Sequence, residues 1–319
     1  MCLIRHRRPC QRRPLHRSRR LCCRRQRLSP SRHRSRRHHR SRQVTPHQPR
    51  RCSLGVKLKK EIADSMNSSF EKLINDLRAL GVRENGVLLV HSSLRALGPV
   101  EGGAETVCRA LLEVLGERGT LLVPALSYET VTREHPEFDV RTTPTCIGAL
   151  TEYFRRREGT LRSVHPTHSV CGVGHLVHDL LCNHELDTTP CGPNSPFHKL
   201  PSFEGQILML GCGLRPNTSM HSVEELIEPP YLFTDPFEYT ITDAAGRQFK
   251  QVHRRHNFDG WVQRYDRLAD VLAEPDLRSG PVLQSTSYLI EAAAMRPAIY
   301  RKLQEDILYF VDREDAPTA

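Results

Sequence analysis

Apolar positions recur along this chain in two rhythms, one helical and one strand-like. Phe70, Leu73, Ile74, Leu77 and Leu80 fall at helical spacing and predict an opening amphipathic helix. The apolar run 87–90 reads as a buried strand. A helix with Val107, Leu111, Val114 and Leu115 on one side follows, and then a strand over 121–124. Next come a helix over 147–157, a strand near 169–173, a helix around 176–181 and, bounded by Gly205 and Gly211, a strand over 207–210. A helix bearing His221 comes after it. Residues 237–242 and 247–252 flank Asp243-Ala244-Ala245-Gly246, which predicts a β-hairpin with a turn of about four residues. Two helical stretches, near 261–273 and 287–306, close the chain, and Pro297 breaks or kinks the second. This alternation predicts an α/β fold: an α-β-α sandwich with a mixed central sheet and an additional hairpin and helical C-terminal part.

Composition divides the chain in two. Residues 1–51 hold 19 Arg and no Lys, Asp or Glu. Of the 47 Lys and Arg, 28 therefore remain against 36 acidic residues, so the body carries a net charge of −8 under a whole-chain formal charge of +11. A segment this rich in Arg, Ser, His and Pro has too few apolar residues to bury a core, and disorder is expected of it. As native protein it reads as an arm for nucleic acid or an anionic membrane. The favoured reading is an over-extended reading frame, because Met66 stands just before the first amphipathic helix. The expected organisation is an Arg-rich extension over 1–65 and one folded domain over 66–319. No apolar run reaches the roughly 18 residues of a membrane span, so a cytoplasmic protein is expected. The six cysteines of the body, Cys108, Cys146, Cys171, Cys182, Cys191 and Cys212, are scattered singly without a CxxC pair, which predicts reduced thiols.

The densest chemistry follows the strand over 207–210. Thr218 and Ser219 are candidate caps for the next helix, on which His221 and Glu224 stand three apart and share a face. A carboxylate beside an imidazole fixes the ring's orientation and tautomer, leaving the other ring nitrogen to act as a general base. The plain alternative is a solvated helical face with an incidental His–Glu pair. A second polar cluster, His91-Ser92-Ser93-Leu94-Arg95, ends the first strand, and Gly102-Gly103 opens the following helix.

Taken in order, residues 86–98, 101–107 and 124–128, the segment 162–170, Ser195-Pro196-Phe197 and the His221 segment resemble the aminoglycoside 3-N-acetyltransferase family. The likeness runs from about Phe70 to the end of the chain and is densest between Val87 and Glu225. It implies an acetyl-CoA-dependent N-acetyltransferase domain over 66–319, acting on an amine of an aminoglycoside-like small molecule by direct transfer, with no metal. The family's His-x-x-Glu pair falls on His221 and Glu224. Its CoA-contacting strand end falls on His91, Ser92, Ser93 and Leu94, and Arg95, Gly102, Gly103, His165 and Ser169 are further donor-side candidates. Tyr128, Glu137, Asp139 and Glu225 are the acceptor-side candidates, Glu225 being also the register alternative to Glu224. A structural hydrogen bond is the other reading of His165; Cys171 could suggest a cysteine nucleophile, and a small buried residue is the favoured reading. Three competing functions are weighed: transfer to a different amine, a non-catalytic body tethered to nucleic acid by the tail, and a metal-dependent hydrolase using His221, His253 and His256.

Overall fold

The structure, a computed structural model, describes residues 68–314. The expectation for the Arg-rich extension and its boundary at Met66 lies outside the described residues. The opening helix α1 (residues 68–80) leads to β1 (Val87–Ser92), α2 (Gly103–Leu115) and β2 (Thr120–Pro124). Then come β3 (Glu137–Asp139), α3 (Ala149–Arg156), β4 (Leu161–Arg162), β5 (Val170–Gly174), α4 (Val177–Leu181), α5 (Pro196–Lys199), β6 (Gln206–Leu210) and α6 (His221–Glu224). The chain ends through β7 (Phe237–Thr242), β8 (Gln248–His253), β9 (Trp261–Gln263), β10 (Leu277–Val282), β11 (Ser285–Glu291), α7 (Ala292–Glu305) and β12 (Val311–Arg313).

Seven strands form the main sheet in the order β10-β11-β6-β1-β2-β5-β4. Its centre, β6-β1-β2, is parallel, and antiparallel strands flank it on both sides. β1, β2 and β6 are apolar at nearly every position because both of their faces are covered. Leu89, Leu122, Ile207 and Met209 pack on one face with Leu180, Phe197, Val223, Met295 and Ile299 of α4 to α7. Leu88, Val90, Leu121 and Leu208 pack on the other with Leu73, Leu77, Leu111 and Phe154 of α1 to α3. This is the expected α-β-α sandwich with a mixed sheet.

The predicted hairpin forms as β7–β8. The Asp243 carboxylate accepts from the amides of Ala245 and Arg247, and Gly246 takes the left-handed turn position at φ 81°. β3 joins this pair to make a separate three-stranded sheet around Phe138, Tyr239 and Ile241.

Two C-terminal expectations are corrected. Residues 261–263 form strand β9, followed by a 3-10 turn over Tyr265–Asp270, rather than a helix. Pairing with β12 overrides the local helical pattern, and Arg313 lies 3.8 Å over the Trp261 ring. Residues 285–291 form β11, which pairs with both β6 and β10, and the helix begins only at Ala292. α7 then runs through Pro297 without breaking. The β10–β11 hairpin turns at Leu283, held at φ 54°, without the Asn or Gly that marks such turns. Pro281 is tolerated in β10 because that strand lies at the sheet edge.

Candidate active site

A cleft of about 480 Å³ opens at the carboxyl ends of the parallel strands, where α/β sheets place their sites. His91 and Ser92 of β1, Pro124 of β2 and the segment after β6 up to Thr218 contribute to its wall, together with His221. The turn that carries His221 is set by Asn217, not by Thr218 or Ser219. Its side chain accepts from the Ser219 amide at 3.1 Å, and the 3-10 turn Thr218–Met220 runs directly into the single turn of α6.

Within that turn the His221 Nδ1–H donates to Glu224 Oε2 at 2.7 Å. Glu224 is completely buried and is satisfied by two further donors. Tyr265 Oη donates to the same oxygen at 2.7 Å and lies 3.0 Å from His221 Nδ1, while Tyr231 Oη donates to Oε1 at 2.9 Å. Burial, and then the Glu224 charge, push both phenols up, which keeps them protonated as donors. With Nδ1 engaged, Nε2 is the ring nitrogen left for the cleft, since the His221 ring lines it.

Glu225, the neighbouring register, faces a different set of groups. Oε2 accepts from Thr189 Oγ1 at 2.7 Å, and Oε1 takes the Cys191 amide and His256 Nε2, each at 2.8 Å. Burial raises the Glu225 carboxyl to about 8. The His256 ring lies 4.3 Å from the His221 ring and also lines the cleft. Behind it a stack of imidazoles continues, His256 to His168 at 4.9 Å and His165 to His184 at 4.8 Å and to His253 at 5.0 Å.

Of the residues expected from the sequence, His91, Ser92, Tyr128 and His221 line the cleft, and Glu224 stands directly behind His221. Burial, followed by the charge of His221, lowers His91 to about 3, so it is a neutral group at working pH. The Ser93 amide donates to the Leu210 carbonyl at 2.9 Å, Leu94 packs against the apolar layer, and Arg95 is exposed. Gly102 and Gly103 start α2, Gly102 at φ 77°, with nothing within 4 Å of a Cβ added at Gly103. His165 is wholly buried, its Nδ1 accepting the amides of Thr167 and His168. Ser169 donates to the Ala125 carbonyl and accepts from Arg162 Nε. Glu137 and Asp139 stand on β3 in the small sheet, where the Asp139 carboxylate accepts the amides of Arg141 and Thr142. His253 packs edge-on against His165 rather than beside His221.

Tyr231 and Tyr265 were not singled out from the sequence. Neither shares a local period with His221, and only the tertiary fold brings them to Glu224. Arg215 and Arg255 of the lining were missed in the same way. Among the described residues the lining holds these two cations and four histidines but no carboxylate. The negative charge of Glu224 therefore reaches the cleft through the His221 imidazole.

The sequence pattern described as Aminoglycoside 3-N-acetyltransferase matches residues 89–304. Aminoglycoside N(3)-acetyltransferase III of Serratia marcescens is 32% identical over 251 residues, spanning 70% of this chain and 93% of that protein. Aminoglycoside N(3)-acetyltransferase IV of a Salmonella species is 35% identical over 243 residues, spanning 75% and 89%. A histidine-to-alanine mutant of aminoglycoside acetyltransferase AAC(3)-IVa in complex with gentamicin superposes with a TM-score of 0.66 at 30% identity, covering 75% of this chain and 90% of that one. AAC-IIIb in a binary complex with CoASH superposes at 0.65 with 27% identity, covering 77% and 97%. The chain belongs to the aminoglycoside 3-N-acetyltransferase family, and with it to the acetyl-CoA-dependent N-acetyltransferases whose fold, enzyme class and donor its sequence led us to expect.

Proposed function

We propose that this enzyme transfers the acetyl group of acetyl-CoA directly to an amine of an aminoglycoside-like molecule, with His221 as general base and Glu224 as its positioning partner. The observation that carries this reading is the buried constellation in which Glu224 and Tyr265 converge on His221 Nδ1 while the ring lines the cleft. A related chain is described with gentamicin and another with CoASH, which supports both halves of the reaction. The net charge of −8 on the body agrees with a cationic acceptor.

The amine nitrogen attacks the thioester carbonyl carbon while its proton passes to His221 Nε2. The carbonyl π electrons become an oxyanion, which then collapses, breaking the C–S bond. The departing thiolate takes the proton back from Nε2, so the imidazole returns to its starting state. Glu224 holds the ring and steadies the imidazolium throughout. No covalent enzyme intermediate is needed, and Cys171 is fully buried with its thiol pushed up to about 12.

A thiol-release assay with acetyl-CoA against a panel of amines tests the acceptor. Turnover is expected with gentamicin and sisomicin, and much slower turnover with simple monoamines. Release that is equally fast with monoamines would make this an acyltransferase of another amine.

A further inference from the structure

The cleft holds a second imidazole backed by a second buried carboxylate, and the base mechanism does not use it. His256 lies with its ring 4.3 Å from that of His221. Its Nε2 is fixed on Glu225 at 2.8 Å, and both side chains are only 6% exposed. Its Nδ1 is buried with no hydrogen-bond partner among the described residues. Phe258, His168 and Phe233 pack around the ring. An unpartnered buried nitrogen beside a general base is costly unless a substrate group completes it.

We propose that His256 is a catalytic residue of this reaction, its Nδ1–H donating to the acetyl oxygen as negative charge develops there, and that Glu225 is the positioning residue that keeps a hydrogen on Nδ1. The proposal rests on the acetyl-transfer reading above. It follows from counting protons on the pair. While Glu225 and His256 together are electrically neutral, the shared proton sits either on the carboxyl or on Nε2. In the first arrangement Nε2 accepts and the ring hydrogen is on Nδ1. In the second the ring is an imidazolium and Nδ1 again carries hydrogen. Only when the pair loses that proton does Nε2–H face a carboxylate and Nδ1 become a bare acceptor, which would repel an oxyanion.

Burial places this change at about pH 8 for Glu225. The titratable and charged groups facing the pair are His221, His168 and His165 around the ring, and Asp187, Glu224 and Cys191 around the carboxyl. Burial and its neighbours His221 and His168 hold the His256 imidazole well below its usual range. The shared proton therefore belongs mainly to Glu225 near neutrality. His256 transfers no proton in the cycle: it donates a hydrogen bond to the oxyanion and releases it when the C–S bond breaks.

The experiment measures kcat, KM and binding for the full chain with acetyl-CoA and gentamicin. His256→Ala should lower kcat by about 10²–10³-fold, the usual loss for one oxyanion donor. Calorimetric affinities for acetyl-CoA and gentamicin should stay within about twofold of the wild type, since the contact forms only in the transition state. A kcat within threefold of wild type, or a loss confined to gentamicin affinity, overturns the assignment. Should His256→Ala fail to fold, the wild-type pH profile decides. kcat should fall above about pH 8, and Glu225→Gln should be slow at all pH values without that limb. In this variant the Cys191 amide requires an acceptor, so the amide oxygen takes both N–H groups and Nδ1 is left bare. A wild-type kcat that stays flat to pH 9.5 contradicts the proposal. Wild-type enzyme inactive on every acceptor would instead refute the acetyl-transfer reading itself.

Discussion

Glu224 is the residue on which the site turns, because it is wholly buried and three donors meet its two oxygens. Removing one donor leaves a buried acceptor short of a partner, at a cost of about 1–3 kcal/mol. Tyr265→Phe should therefore lower the melting temperature, and it should reduce kcat on the order of tenfold as the ring of His221 loses its second restraint. A thermal melt beside a steady-state assay checks this. Unchanged values in both would mean that the phenol is a bystander. At this scale the His221–Glu224 pair was legible in the sequence, because residues three apart on a helix are neighbours whatever the tertiary fold. The local pattern could not choose between Glu224 and Glu225; packing against Thr189, Cys191 and His256 sends Glu225 to the other side. The two tyrosines were illegible for the same reason in reverse. Tyr265 lies 41 residues from Glu224, and only the fold brings them together.

The turn from Asn217 into α6 aims the His221 ring, and the Asn217 side chain caps it. Asn217→Ala should cost about 0.5–2 kcal/mol of stability, the range for losing an N-cap. It should also weaken turnover, because Asn217 is part of the cleft wall. Denaturant melts and kinetics on the same preparation test both expectations. A more severe change is Gly174→Ala at the end of β5. The backbone there has φ 127°, and a Cβ would sit 2.2 Å from the Gly119 carbonyl oxygen. Insoluble protein, or a loss of several kcal/mol, is expected; a stable variant would mean that the β2–β5 pairing is looser than described. Elements with unbroken apolar runs or clear helical periods, such as β1, α2, β6 and the β7–β8 hairpin, were legible. The stretches 261–270 and 285–291 were not, because their state depends on pairing with strands distant in sequence and on a turn without Gly or Asn.

For the whole molecule, the α/β class could be read from alternation, whereas the order of seven strands could not, since β6 joins β1, and β11 joins β6, only through tertiary contacts. The fold also buries histidines in number. Burial lowers His184 to about 3 and His253 to about 4, and it carries His165, His168 and His256 well below the usual range. These groups stay neutral in the folded state but take up protons in the unfolded chain below about pH 6.5, so stability falls as the pH drops from there toward 4. Glu225, raised to about 8, and Asp187, also raised by burial, oppose this, each favouring the folded state at lower pH. The melting temperature should therefore drop steeply between about pH 6.5 and 4, and a flat profile would contradict the neutral histidine cluster. The most direct test of the whole account is turnover by His221→Ala at saturating acetyl-CoA and gentamicin, with binding of both confirmed by calorimetry. A fall of about 10²–10⁴-fold in kcat with donor affinity intact is the predicted result. Near-wild-type turnover would show that the proton leaves the amine by another route.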